Sequence, residues 1–94
     1  MQASRYPTVA IFTNEGEVEM SLHLEMLAEE VILGPGHEVE LLAKPSPGLL
    51  PLTIGHFPGG LQIHPNKEFD PDWHVRFKGK IIRAGYPTRL KDHE

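Results

Sequence analysis

Along much of this chain, apolar and polar side chains alternate with a period of two, the mark of strands with one face in a core and one in water. Thr8–Thr13 is β-branched and aromatic and reads as a strand. Val18, Met20 and Leu22 alternate with Glu19 and Ser21, which predicts a strand from Val18 to Leu22. Glu38–Ala43 repeats the pattern, with Val39 and Leu41 inward. Leu50–Ile54 alternates again, but Pro51 cannot donate to a ladder, so an edge strand is expected there. Leu61–His64 follows Phe57-Pro58-Gly59-Gly60, which has the residues of a type II turn. His74–Ile82 reads as one long strand with a kink near Gly79.

The segment after Leu22 supports two readings. Leu22 to Glu30 is rich in Leu, Met, Ala and Glu, all good helix formers, and Gly34-Pro35 beyond it is a helix stop. A short helix near residues 24–30 is therefore expected beside the strands. The fold class is mainly β, or α+β with that helix. The expected architecture is a small, largely antiparallel β-barrel or sandwich of about six short strands. Residues 1–94 form one domain, with a frayed tail at 88–94. The expected core is Val9, Ile11, Met20, Leu22, Val39, Leu41, Leu52, Ile54, Leu61, Ile63, Val75, Phe77 and Ile81.

Composition narrows the function classes. Ninety-four residues have room for one core and little for a large enclosed cavity. The absence of cysteine removes disulfides, thiolate metal sites and cysteine nucleophiles. With no signal-peptide pattern and no apolar run of membrane-spanning length, a cytoplasmic protein that avoids the membrane is expected. Residues 1–43 carry eight Glu against one Arg, net −7, whereas residues 44–94 carry eight Lys and Arg against five acids, net +3. Pairing of acidic with basic strands inside the fold accounts for such a split.

Four sets of residues could carry chemistry or contacts. Six histidines are many for this length. The densest polar group is His64, Asp70, Asp72 and His74, a set able in principle to bind a divalent metal such as Zn²⁺ or Fe²⁺. The basic residues Arg76, Lys78 and Lys80 alternate with Phe77 and Gly79. On one continuous strand they would share a face that could track nucleic-acid phosphates. Phe57 and Trp73 flank loops and are candidate interface anchors. No serine sits in a nucleophile elbow and no glycine-rich phosphate loop is present, so no catalytic residue is assigned.

Two short stretches resemble known families. Pro58-Gly59-Gly60-Leu61-Gln62-Ile63-His64 resembles the second metal-binding motif of cupins, where a Pro-x-Gly turn precedes a histidine. Its spacing is one residue longer, and the paired histidines of the first cupin motif have no counterpart. Leu33–Leu41 resembles the turn and strand of swapped-hairpin transcription regulators. The basic DNA-facing residues of that family are missing, because Glu17 to Glu30 contains no Lys or Arg. Neither function is carried over. The expected function is a non-catalytic binding or assembly module that self-associates or docks a protein partner. The alternatives are the divalent-metal site and nucleic-acid binding through the basic strand.

Overall fold

The alternating runs become strands in the computed structural model, which describes residues 2–94. They are β1 (Thr8–Thr13), β2 (Met20–Leu24), β3 (Glu29–Leu33), β4 (Glu38–Leu42), β5 (Thr53–Phe57), β6 (Gly60–His64), β7 (His74–Phe77), β8 (Lys80–Arg83) and β9 (Thr88–Arg89). The chain is mainly β, with two sheets. One runs in the order β1-β4-β7-β8 and the other β5-β6-β2-β3-β9. Every pairing is antiparallel except β2 with β6 and β3 with β9.

The two sheets share one core. Leu22, Leu24, Val31, Leu33 and Ile63 of the second sheet cluster with Val39, Leu41, Val75 and Phe77 of the first. All of these are buried. Full burial of each stabilises by about 1.5–3 kcal/mol relative to exposure. This is the sandwich arrangement, two sheets sealing one apolar layer.

The helix expected at 24–30 is absent. Residues 25–28 form a turn, and β3 begins at Glu29. Seven residues of helix are too short to be stable alone. The strand reading pairs Leu22 with Val31 and Met20 with Leu33, and so buries both alternating rows at once. Among the described residues the only helical pieces are two short 3-10 turns, Ala3–Arg5 and Leu90–His93.

Three expected core positions are exposed, Ile11 and Ile81 because they face outward and Ile54 because it lies at a sheet edge. Ile11 is 61% exposed because Phe12 faces inward, and a bulge between Thr8 and Ala10 resets the alternation of β1. Ile81 is exposed because the kink at Gly79 is a complete hairpin turn. Lys78 and Gly79 both have positive φ, as a two-residue turn of the type I′ kind requires. Phe77 then pairs with Lys80 and Val75 with Ile82, so the inward positions pass from odd to even numbers. Ile54, 48% exposed, lies on the outermost strand of its sheet.

The 88–94 tail is docked, not frayed. Thr88 and Arg89 extend the second sheet beside Val31 and Ile32. Leu90 is fully buried, which ties the following turn to the core. At the other end of the order, β6 lies close against β2. A Cβ at Gly60 would stand 2.0 Å from the Ser21 carbonyl oxygen, so only glycine allows this approach. Among the described residues, no helix is long and apolar enough to cross a membrane.

Candidate functional site

The polar cluster expected around Asp72 exists, with different members. Asp70 Oδ1 accepts a hydrogen bond from the Asp72 amide at 2.8 Å, and Asp72 takes a left-handed φ of 46°. Aspartate is among the few residues other than glycine that enter that conformation readily. The turn directs the Asp72 carboxylate at two partners. Tyr6 Oη donates to Oδ2 at 2.7 Å, and Arg83 Nε lies 3.6 Å from Oδ1. The tyrosine hydrogen bond holds Asp72 below the usual carboxylate range and, by the same contact, pushes the Tyr6 phenol up. His74 Nδ1 donates to the Asp72 carbonyl at 2.7 Å, and its ring meets the Tyr6 ring edge-on.

Glu29 adds an acid that sequence reading did not select. It lies on the core face of β3, opposite Leu24, and is buried. Its Oε1 has no hydrogen-bond partner. Burial raises its carboxyl above the usual range, with Arg83 opposing the rise. Had residues 24–30 been read as turn and strand, the alternation Glu29, Val31, Leu33 would have placed this acid inward. Tyr6 and Arg83 had no such signal, because only the folded chain brings residues 6, 72 and 83 together.

The four residues His64, Asp70, Asp72 and His74 do not come together as a set. His64 stands on β6 of the other sheet, paired with Thr53. Among the described residues, no three histidine or carboxylate side chains converge as a metal requires. Hydrogen bonds within the chain engage Asp70, Asp72 and His74 instead.

The basic strip is also broken by the fold. Arg76 is bonded to Glu40 at 3.0 Å. Lys78 sits in the tight turn, its ammonium 5.5 Å from the centre of the Phe77 ring. Lys80 pairs with inward-facing Phe77, so it lies on the opposite face of the sheet from Arg76. Trp73 is not an exposed anchor. It is fully buried and donates from Nε1 to the Glu25 carbonyl at 2.6 Å. Phe57 is half-buried and meets the His23 ring edge-on at 4.7 Å. A shallow hollow of about 430 Å³ beside His37 is lined by Glu38, Lys78 and Glu94, charges of both signs that favour no one ligand.

The sheet edges differ more sharply. Strand edges invite pairing, and soluble proteins blunt them with bulges, charges or shortness. β1 carries a bulge. β8 begins with Lys80 and ends with Arg83. β9 is two residues long. β5, with the sequence Thr-Ile-Gly-His-Phe, has none of these features. Four of its five residues are exposed, and its fifth, Phe57, is half-buried.

The direction of its free backbone groups follows from the ladder. Ile63 gives its carbonyl to the Glu25 amide on the β2 side. Ile54, opposite Ile63, therefore belongs to a pair that exchanges no hydrogen bonds within the hairpin. Ile54 and His56 thus turn their N–H and C=O groups outward, away from β6. No protein family, curated protein or solved structure matches this chain.

Proposed function

We propose that this chain is a small, non-catalytic assembly module that associates through the open edge of β5. The observation that carries the reading is the contrast among the four sheet edges: three have a recognised protection and β5 has none. β5 offers outward backbone groups at Ile54 and His56, an exposed isoleucine and no formal charge. Strand addition of this kind draws its affinity from main-chain hydrogen bonds and its selectivity from alternate side chains. The cysteine-free composition suits a reducing compartment such as the cytoplasm.

The test compares the chain with Ile54→Lys, a substitution at an exposed site that supplies the missing edge charge. At millimolar concentration, the Ile54 and His56 amides of the unaltered chain should exchange with solvent more slowly than in dilute solution. The light-scattering mass should rise in parallel. Ile54→Lys should abolish both changes while leaving the circular dichroism spectrum intact. A strict monomer with fast-exchanging β5 amides at the highest concentration would overturn the reading.

A further inference from the structure

We infer that the occupant of the β5 edge is the β5 edge of a second copy, antiparallel, on a two-fold axis through Gly55. This rests on the proposed pairing role of β5 and adds the partner and the register.

The outward groups of Ile54 and His56 select them, because only this register matches both residues of each copy, and Gly55 agrees with it. A glycine inside a strand costs roughly 0.5–1 kcal/mol relative to alanine, through the greater freedom it loses. The chain itself gives no reason for it. Gly55 is not among the positive-φ residues, and a Cβ built there would meet nothing within 4 Å. Gly60, by contrast, is required by its approach to Ser21. A strand glycine often marks a bulge, a bend or the close approach of another backbone, and the ladder of β5 with β6 runs without a register shift.

The register then follows from the ladder geometry. With Gly55 opposite Gly55 of the second copy, Ile54 of each chain lies opposite His56 of the other. Those are the residues whose N–H and C=O groups turn outward, so each Ile54–His56 pair exchanges two hydrogen bonds, four in all. Gly55 falls in the alternating, non-bonded position, where opposing Cα atoms approach to about 4.5 Å. That is the closest contact in an antiparallel ladder, and the residue there has no side chain. Thr53 faces Phe57 of the other copy. Beyond Phe57, Pro58 has no N–H and the ladder stops.

The side chains agree with this pairing. Ile54 and His56 share the core-side face of the sheet with Ile63 and Leu61, so Ile54 of one copy gains His56 of the other as a neighbour. β5 contains no Asp, Glu, Lys or Arg, so no such charges oppose one another across the axis. The contact is isologous and consumes the unprotected β5 edge of each copy. It closes at two copies instead of growing into a filament.

The absence of cysteine makes the register directly measurable, because single introduced thiols report it under mild oxidation. Gly55→Cys should give a disulfide-linked dimer. Thr53→Cys alone should not, since its counterpart lies four residues away along the opposing strand. Thr53→Cys mixed with Phe57→Cys should link as a heterodimer, with Gly55 left intact. Unmodified chain should reach the mass of a dimer and no more. Cross-linking by Ile54→Cys in place of Gly55→Cys, or growth beyond two copies, would overturn this register while leaving β5 as a pairing edge. A monomer with no cross-link from any variant would overturn both.

Discussion

Glu29 holds its carboxyl on the buried face of β3, and one of its oxygens meets no donor. A buried polar group without a partner costs about 1–3 kcal/mol. Replacing Glu29 with Leu, opposite Leu24, should therefore raise the thermal midpoint at neutral pH. The sign of the pH dependence follows from the raised carboxyl. The folded chain holds this proton more tightly than the unfolded one, so wild-type stability is full below the ordinary carboxylate range. It is lost as pH climbs through the folded value. The advantage of Glu29→Leu should consequently shrink on acidification, as melting curves at several pH values would reveal. Asp72 behaves oppositely. Its depressed carboxyl supports the fold above the ordinary range and gives up that support as pH falls through the folded value. An advantage of Glu29→Leu that is constant with pH would show that its carboxyl does not titrate differently in the fold.

At the level of elements, Gly60 is the position where one methyl group matters most. A Cβ there would collide with the Ser21 carbonyl, which is backbone and cannot swing aside. Gly60→Ala should destabilise by about 1–3 kcal/mol, the usual cost of overpacking, and should loosen β6 from β2. Urea denaturation would measure the first effect and amide exchange along β2 the second. The elements also show what the sequence could and could not disclose. Period-two alternation located β1, β4 and β6 well, because Phe12, Val39, Leu41 and Ile63 must be buried for any sheet to form. It misjudged the inward side of β1 because a bulge shifts the count. It joined β7 to β8 because Lys78 is an unexpected residue for a left-handed turn position. It put a helix at 24–30 because propensity for Leu, Met, Ala and Glu is local, whereas the pairing of β2 with β3 is not. Of the polar cluster, Asp70, Asp72 and His74 were legible as one loop. Tyr6 and Arg83 reach Asp72 only through the tertiary fold.

Across the whole molecule, part of the uneven charge of the two halves is used internally. Glu40 of the acidic half binds Arg76 of the basic half, and Glu40 Oε1 also accepts from Thr8 at 2.9 Å. Residues 88–94 also contribute to the core. Leu90 is fully buried in the shared core. Leu90→Ala should cost about 2–5 kcal/mol, the range for truncating a buried leucine. A chemical-denaturation midpoint unchanged by this substitution would mean that the 88–94 segment contributes nothing to the core.

The parallel pairing of β3 with β9 joins Val31 to Thr88 across most of the chain. During synthesis, β3 keeps that flank open until Thr88 and Arg89 have emerged and docked beside it. Contacts so distant in sequence slow the search for the native arrangement. A prematurely ended product would lack both the flanking strand and Leu90. The seal on β3 and the last leucine of the core therefore come from one short stretch, so the two are gained or lost together.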